Sequence, residues 1–362
     1  MSRAFSALGY FISAPCTEKV QLKNLTPTDS DSASVRPSTK NASPKNPRHR
    51  YLQQNWITFR RFTSPYLRLA RLHTIMAWAI FPAPALYTAI LFHATQLPDM
   101  TPLTKMVKCL RICAALFVSV MSYRAAGLAW DDLIDREYDA KVTRSKIRPL
   151  PAGELTGKKL DGAVFCIALL SGLTIILLQV LLAPEVFPSF FFSGAIFLVY
   201  PFLKRVTYYT QFFGAWLISM GVIQAWVACA AIHDPVPGAG SGWGHVVAII
   251  YRDAIKLGPI FLMEFLYELA HELIYGCQDT GEDMEIGLFS LSILCGYKLS
   301  RLIGFILVSC FAGLVGYCAA VASLPAWPLT VLPVFWLMFN FVSLDLAIPK
   351  SCGTWATQAI KV

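Results

Sequence analysis

Charged residues are scarce in this chain. They make up 15% of its 362 residues, against about 25% in soluble domains. Acids are the scarcer sign, with 22 Asp and Glu against 31 Lys and Arg. Apolar residues fill the gap, at 56% of the chain and a mean hydropathy of +0.53. They gather in runs of membrane-crossing length, which excludes an ordinary soluble domain. The ten cysteines include no Cys-x-x-Cys pair and no histidine-spaced cluster. Most of them, such as Cys113, Cys166, Cys229 and Cys310, lie inside apolar segments and read as small buried hydrophobes. The net charge of +9 does not indicate a nucleic-acid partner, because the basic residues flank apolar runs instead of forming a soluble basic face.

Residues 1–55 are a different material, rich in Ser, Thr, Pro, Asn, Lys and Arg. They cannot bury a core and read as a disordered polar tail. Glu18, Asp29 and Asp31 argue against a mitochondrial transit peptide. Apolar spans follow near 72–94, 107–130, 161–183, 186–203, 209–232, 255–276, 299–322 and 327–348. Each approaches the ~20 residues that cross a bilayer, and backbone groups in lipid must bond internally, so these spans are helices. Pro82, Pro84, Pro201 and Pro259 lie inside or beside spans and are expected to kink them. The expected fold class is all-α: a polytopic membrane helical bundle of about eight (eight to nine) transmembrane helices over 56–350, with a short C-terminal tail at 351–362.

The loop charges orient the spans. The 131–160 loop carries Arg136, Lys141, Arg144, Lys146, Arg148, Lys158 and Lys159. The loops on the opposite side, at 95–106, 184–185, 233–250 and 323–326, are read as nearly free of Lys and Arg. The 131–160, 204–208 and 277–298 loops therefore share one side with both termini, facing the cytoplasm, or the matrix if the protein is mitochondrial.

The second span runs into Asp131-Asp132-Leu133-Ile134-Asp135-Arg136-Glu137-Tyr138-Asp139. Asp131, Asp135 and Asp139 are spaced i, i+4, i+8 and share a helix face; Asp132 projects about 100° away. Four carboxylates this close repel unless a cation sits among them. Oxygen-only ligands suit Mg²⁺, which keeps waters and completes its shell with substrate phosphates. The bland alternative is a solvated helix end. Downstream, Lys141, Arg144, Lys146 and Arg148 offer the bidentate and point-charge contacts that a diphosphate takes, although positive-inside topology alone would also place cations there.

A second acidic loop closes the sixth span: Glu272, Tyr275, Gln278, Asp279, Glu282 and Asp283. Asp279 and Asp283 again share a helix face. Upstream, Glu264, Glu268 and Glu272 form a stripe within apolar sequence. Carboxylates inside a membrane are expensive and normally face a polar cavity. That reading is preferred for Glu268 and Glu272, whereas Glu264 is expected to pair with a buried cation such as Arg124, Arg252 or Lys256. Two acidic helix ends on one side of the membrane can converge on one metal-diphosphate group. The metal would neutralise the leaving group, and the allylic cation left behind needs a dry, aromatic cavity. Trp78, Phe81, Trp130, Tyr200, Phe212, Phe213, Trp216, Trp226, Phe261 and Phe265 are available to line it.

These motifs resemble the UbiA superfamily of membrane prenyltransferases. That family carries N-D-x-x-D-x-x-x-D after its second helix and D-x-x-x-D after its sixth. The first is matched by Asp131-Asp132-x-x-Asp135-x-x-x-Asp139, followed by the family-like run Lys141 to Gly153. The second is matched by Glu272-x-x-Tyr275-x-x-Gln278-Asp279-x-x-x-Asp283-x-x-x-Gly287. Arg68-Leu69-Ala70-Arg71-Leu72-His73 resembles the basic lead into the first helix, which implies a diphosphate contact for Arg71. The resemblance covers about 60–350 and implies a helical fold around a central cavity, Mg²⁺ dependence and a prenyl diphosphate substrate. Three departures stand out. Asp131 replaces the first-motif Asn, Phe289 replaces a Lys common after the second motif, and the chain ends too soon after the eighth span for the family's usual ninth crossing.

The leading expectation is prenyl transfer to a small aromatic or polyketide-type acceptor in terpenoid or meroterpenoid metabolism. The alternative is cyclisation of the prenyl diphosphate, which Asp131 and the altered second loop favour. A transporter is disfavoured because most acids sit at one interface and no repeat is visible. The partners implied are the prenyl diphosphate, an acceptor and membrane lipid. The absent Asn motif leans toward the endoplasmic reticulum over the mitochondrial inner membrane.

Overall fold

Amides buried in apolar surroundings must bond within their own segment, and helices alone meet that demand here. A computed structural model describes residues 64–72, 80–97, 99–182, 187–240, 242–321, 340–341 and 344–359, and no strand occurs among them. The helices are α1 (Ala83–Thr95), α2 (Pro102–Ile134), the short α3 (Arg136–Asp139), α4 (Lys158–Leu177, extended by a wide turn over Leu178–Leu182), α5 (Phe187–Leu203), α6 (Thr210–His233), α7 (Trp243–Gly276), the short α8 (Thr280–Glu285), α9 (Leu291–Val321) and α10 (Pro349–Ala359). Among the described residues, four helical stretches are long and apolar enough to cross a membrane: α2, Lys158–Leu182, α6 and α9. The expected tail at 1–55 and most of the eighth span at 327–348 lie outside the described residues, as do 73–79 of the first span.

Burial sorts these helices into two shells. The most apolar windows of α2 and α6 are 67% buried within the protein, whereas those of α4 and α9 are 11% and 17% buried. Phe165, Ile176 and Val180 on α4 expose more than half of their surface, as suits contact with lipid tails. The inner shell is tight because small residues let helices approach. Ala85 and Ala89 of α1 and Ala225 of α6 are fully buried in one cluster with Phe92, Leu116 and Trp226. The Trp226 indole donates to Asp253 Oδ2 at 2.8 Å, which satisfies its one polar atom. α7 packs against α6 and α9 and carries most of the second acidic segment.

Several boundaries differ from the expectation. α7 begins at Trp243 instead of 255. Arg252 and Asp253 depress the hydropathy there, but Arg252 pairs with both Asp253 (2.8 Å) and Asp234 (3.2 Å), so the helix continues through them. Pro82 and Pro84 flank the start of α1 instead of kinking it, where a missing N–H goes unnoticed. The break in α9 comes from Gly296, at φ 62°. The segment read as a tail is the helix α10. It docks on α7 by burying Cys352, Trp355 and Ala356, and its Gly353 faces Gln278.

Candidate active site

Asp131 and Asp132 occupy the last turn of α2, and Asp135 caps it. Negative charge at a helix C-terminus opposes the helix dipole, and α2 has no basic residue in that turn. The compensating cations come from elsewhere in the chain. Asp132 Oδ1 receives Arg71 at 2.6 Å and Arg148 at 3.0 Å. Arg148 also reaches Asp139 at 2.6 Å. Asp135 receives Lys204 at 2.8 Å and Arg205 at 3.1 Å, and Lys204 stands 3.9 Å from Asp131. Asp131, Asp132 and Asp135 are all buried. Burial alone would lower the Lys204 pKa, but the charges of Asp131 and Asp135 hold it well above the usual lysine range. Arg71 adopts φ 50° and is the one non-glycine residue with positive φ among the described residues. That left-handed backbone, uncommon for a residue with a Cβ, belongs to the side chain that grips the most buried aspartate.

The second acidic loop is held more loosely. Asp279 caps the start of α8. The Arg144 guanidinium straddles its carboxylate, with Nε 3.1 Å from both oxygens, and donates to the Tyr275 hydroxyl at 2.9 Å. Burial would lower the Arg144 pKa, but the hydrogen bonds it donates to Asp279 raise it. Asp283 makes no ion pair among the described residues. Burial first, and then the charge of Asp279, push its carboxyl up to about 6 against the pull of Lys204 and Arg144. The two loops touch directly: the Thr143 amide donates to Glu282 at 2.7 Å, and the Phe289 amide donates to the Lys204 carbonyl at 2.7 Å. The 131–160, 204–208 and 277–298 loops thus meet at one end of the bundle.

Between them opens a cavity of about 490 Å³. Asp131, Asp139, Asp279 and Asp283 line it, with Arg71, Arg144, Arg148 and Lys204. Glu268, Glu272 and Tyr275 of α7 line it as well. Gly214 of α6 packs beside Glu272 and Tyr200, and a Cβ there would meet both at ordinary contact distance.

Other expectations need correction. Asp132 and Asp135 are gripped by cations just behind the lining residues, and Asp132 keeps one buried oxygen, Oδ2, without a hydrogen-bond partner. Lys141 and Lys146 are exposed and stand outside the lining. Glu264 pairs with no cation among the described residues: the Tyr87 hydroxyl donates to it at 2.9 Å. Of the ten aromatic candidates, Phe81 and Tyr200 line the cavity. Trp226 is core, Trp78 lies outside the described residues, and Trp216, Phe261 and Phe265 form a separate edge-to-face and stacked group.

Sequence reasoning missed Lys204, Arg205 and Phe197 altogether. The available signal was the Lys204-Arg205 step at the end of an apolar span, on the same side as the acidic loops. Phe289, noted only as a departure, presents an apolar face where a cation was expected, beside Lys204.

The donor set fits a hard divalent cation bound together with phosphate. Asp131 Oδ1 and Asp132 Oδ2 are buried oxygens without a hydrogen-bond partner, and such groups call for a ligand. Among the described residues no three acidic, His or Cys side chains are close enough to hold an ion alone. That agrees with a cation that takes one or two carboxylates and fills its shell with water and phosphate oxygen.

Known proteins resemble this chain in sequence and fold. The model of the UbiA prenyltransferase family matches residues 83–359. A polyprenyl transferase of Arthrobotrys oligospora is 30% identical, over 79% of this chain and 72% of its own length. A 4-hydroxybenzoate octaprenyltransferase of Shewanella sediminis is 30% identical, over 68% of this chain and 74% of its own. A prenyltransferase of Penicillium roqueforti is 28% identical over 64% and 65%. Among solved structures, an apo UbiA homolog from Aeropyrum pernix shares the fold, with a TM-score of 0.57 at 20% identity over 77% of this chain and 96% of that one.

Proposed function

Since the chain belongs to the UbiA prenyltransferase family and is an integral-membrane enzyme of that type, we propose that it ionises an allylic prenyl diphosphate with Mg²⁺ and transfers the prenyl group to a small aromatic or polyketide-type acceptor. The observation that carries this reading is the convergence of two acidic helix ends and six cations on one cavity. Asp131, Asp139, Asp279 and Asp283 would hold Mg²⁺ together with diphosphate oxygens. When bound, Mg²⁺ supplies charge that stabilises the departing diphosphate.

The chain's own side chains do the rest. Arg144, Arg148, Arg71 and Lys204 offer donors to diphosphate oxygens. The faces of Phe81, Phe197, Tyr200 and Phe289 shield an allylic cation from water and attract it through their ring quadrupoles. An isoprenoid tail dissolves in lipid, so a bundle bathed in lipid can receive its substrate from the bilayer. A role in specialised metabolism, in the endoplasmic reticulum membrane, follows from Asp131 standing where the quinone-type motif has Asn; the mitochondrial inner membrane is the alternative.

A second reading, cyclisation of the prenyl diphosphate, is favoured by that same residue, whose Oδ1 has no hydrogen-bond partner. One experiment separates the two. Membranes are incubated with Mg²⁺ and geranyl, farnesyl or geranylgeranyl diphosphate, with and without a phenolic acceptor. A prenylated phenol formed only with acceptor is expected, and EDTA should stop its formation. A cyclic hydrocarbon formed without acceptor would replace transfer by cyclisation.

A further inference from the structure

The three glutamates of α7 share one helix face, yet their surroundings differ. Glu264 has the Tyr87 hydroxyl. Glu272 and Tyr200 both sit beside Gly214. Glu268, between them, has a side chain that is 1% exposed, and its Oε2 is buried without a hydrogen-bond donor. The nearest basic atom is His271 Nδ1, at 3.9 Å, beyond hydrogen-bond reach. Leaving a carboxylate unsatisfied in a dry interior is expensive. This one lines the same cavity as the acidic loops, upstream in the chain of Asp279 and Asp283, which are assigned above to the metal. Its missing partner is therefore a donor carried by a ligand in the cavity.

We propose that Glu268 is a catalytic residue of the acceptor half of the site: it accepts the O–H of a phenolic acceptor and takes that proton as the ring attacks. This rests on the acceptor reading above and names the acceptor class. In the step, a ring carbon ortho or para to the hydroxyl bonds to C1 of the prenyl group. The C1–O bond breaks, and its electron pair leaves with the diphosphate. The O–H proton passes to the Glu268 carboxylate, and the ring becomes a dienone. The dienone then loses its ring C–H proton to water or diphosphate while its oxygen recovers a proton from Glu268. One proton is released in total, and the carboxylate is regenerated.

The same placement selects among acceptors. A ring bearing a carboxylate would set a second anion against the wall formed by Glu268 and Glu272. Of the cations lining the cavity, Arg71 and Arg148 hold Asp132, Lys204 holds Asp135 and Arg144 holds Asp279; Arg124, over the Phe81 ring at 4.3 Å, has no ion pair among the described residues and sets one positive charge against two glutamates. The acceptor favoured is a neutral, electron-rich phenol, not a benzoate.

The test uses the full chain in membranes with farnesyl diphosphate, Mg²⁺, and either resorcinol or 4-hydroxybenzoate, recording adduct and diphosphate release separately. Wild type should prefer resorcinol. Glu268→Gln should lower kcat for the resorcinol adduct about 100-fold, the scale of general-base catalysis, and leave acceptor-free diphosphate release within about twofold. The penalty should shrink to under about tenfold for a fluorinated phenol that ionises at lower pH, because a more acidic hydroxyl depends less on the base. Undiminished adduct in Glu268→Gln overturns the proposal. So does an equal penalty for both phenols, which marks a structural role, or a loss of acceptor-free release, which assigns Glu268 to the carbocation instead. Diphosphate release by wild type with no adduct to any phenol would sink the acceptor reading itself and this inference with it.

Discussion

The two acidic loops reach one cavity in different electrostatic states. In the first, Asp132 and Asp135 are buried and each is gripped by two cations drawn from distant parts of the chain. In the second, Asp279 has Arg144 alone, whose side chain is 38% exposed, and Asp283 has no ion pair among the described residues. In the first loop, Asp132 and Asp135 are neutralised by cations that the fold brings to them. The second can exchange partners. On the proposed function, a diphosphate would compete with Asp279 for Arg144 while a metal ion would compete with Arg144 for Asp279, so neither exchange would strand a charge. Substrate response is thereby concentrated in the loop that costs least to rearrange.

The sharpest way to break this contrast is Asp132→Ala. It leaves Arg71 and Arg148 facing a buried vacancy, which should destabilise the protein by about 3 kcal/mol and take activity with it. Thermal denaturation in detergent measures this, and an unchanged melting temperature would show that this pairing does not hold the fold. Next in size is Asp283→Asn. With no ion pair to lose, the variant should keep its melting temperature while kcat falls about 100-fold. A folding defect there would erase the distinction between the loops.

Asp131→Asn is expected to act more mildly. Asn offers a metal only a neutral carbonyl oxygen, so the Mg²⁺ concentration for half-maximal activity should rise without loss of maximal rate; a superimposable titration would place Asp131 outside the metal shell. The smallest effects belong to Lys141→Ala and Lys146→Ala. Both side chains are exposed, and turnover should stay within about twofold of wild type. A large rise in the KM for prenyl diphosphate in either would assign that lysine to direct diphosphate contact.

The order of helices was legible in the apolar runs, and so were the acidic residues that ring the cavity, because i, i+4 spacing fixes a shared face whatever the tertiary context. What stayed hidden depended on pairing across long separations. Lys204 reads as an ordinary flanking cation after an apolar span; its contact with Asp135, 69 residues earlier, has no local signature. The same limit sent Glu264 toward a cation when a tyrosine hydroxyl was its partner. α7 was started late because hydropathy counts Arg252 and Asp253 as costs, though together they nearly cancel. α10 was missed because its composition is polar, although Cys352, Trp355 and Ala356 at i, i+3, i+4 already mark a buried stripe.

Gly353 of α10 gives the second loop an outside adjustment. A Cβ at this position would come within 2.6 Å of Gln278 Oε1, and the Gln278 amide donates to the Tyr275 carbonyl at 3.1 Å. A single methyl group at Gly353 would push that amide off its bond, between the two residues that Arg144 holds. The setting of the catalytic end is thus tunable from a helix that contributes nothing to the chemistry. Relatives that share every motif residue could still differ in how readily Arg144 lets go, with the difference written in the last turns of the chain.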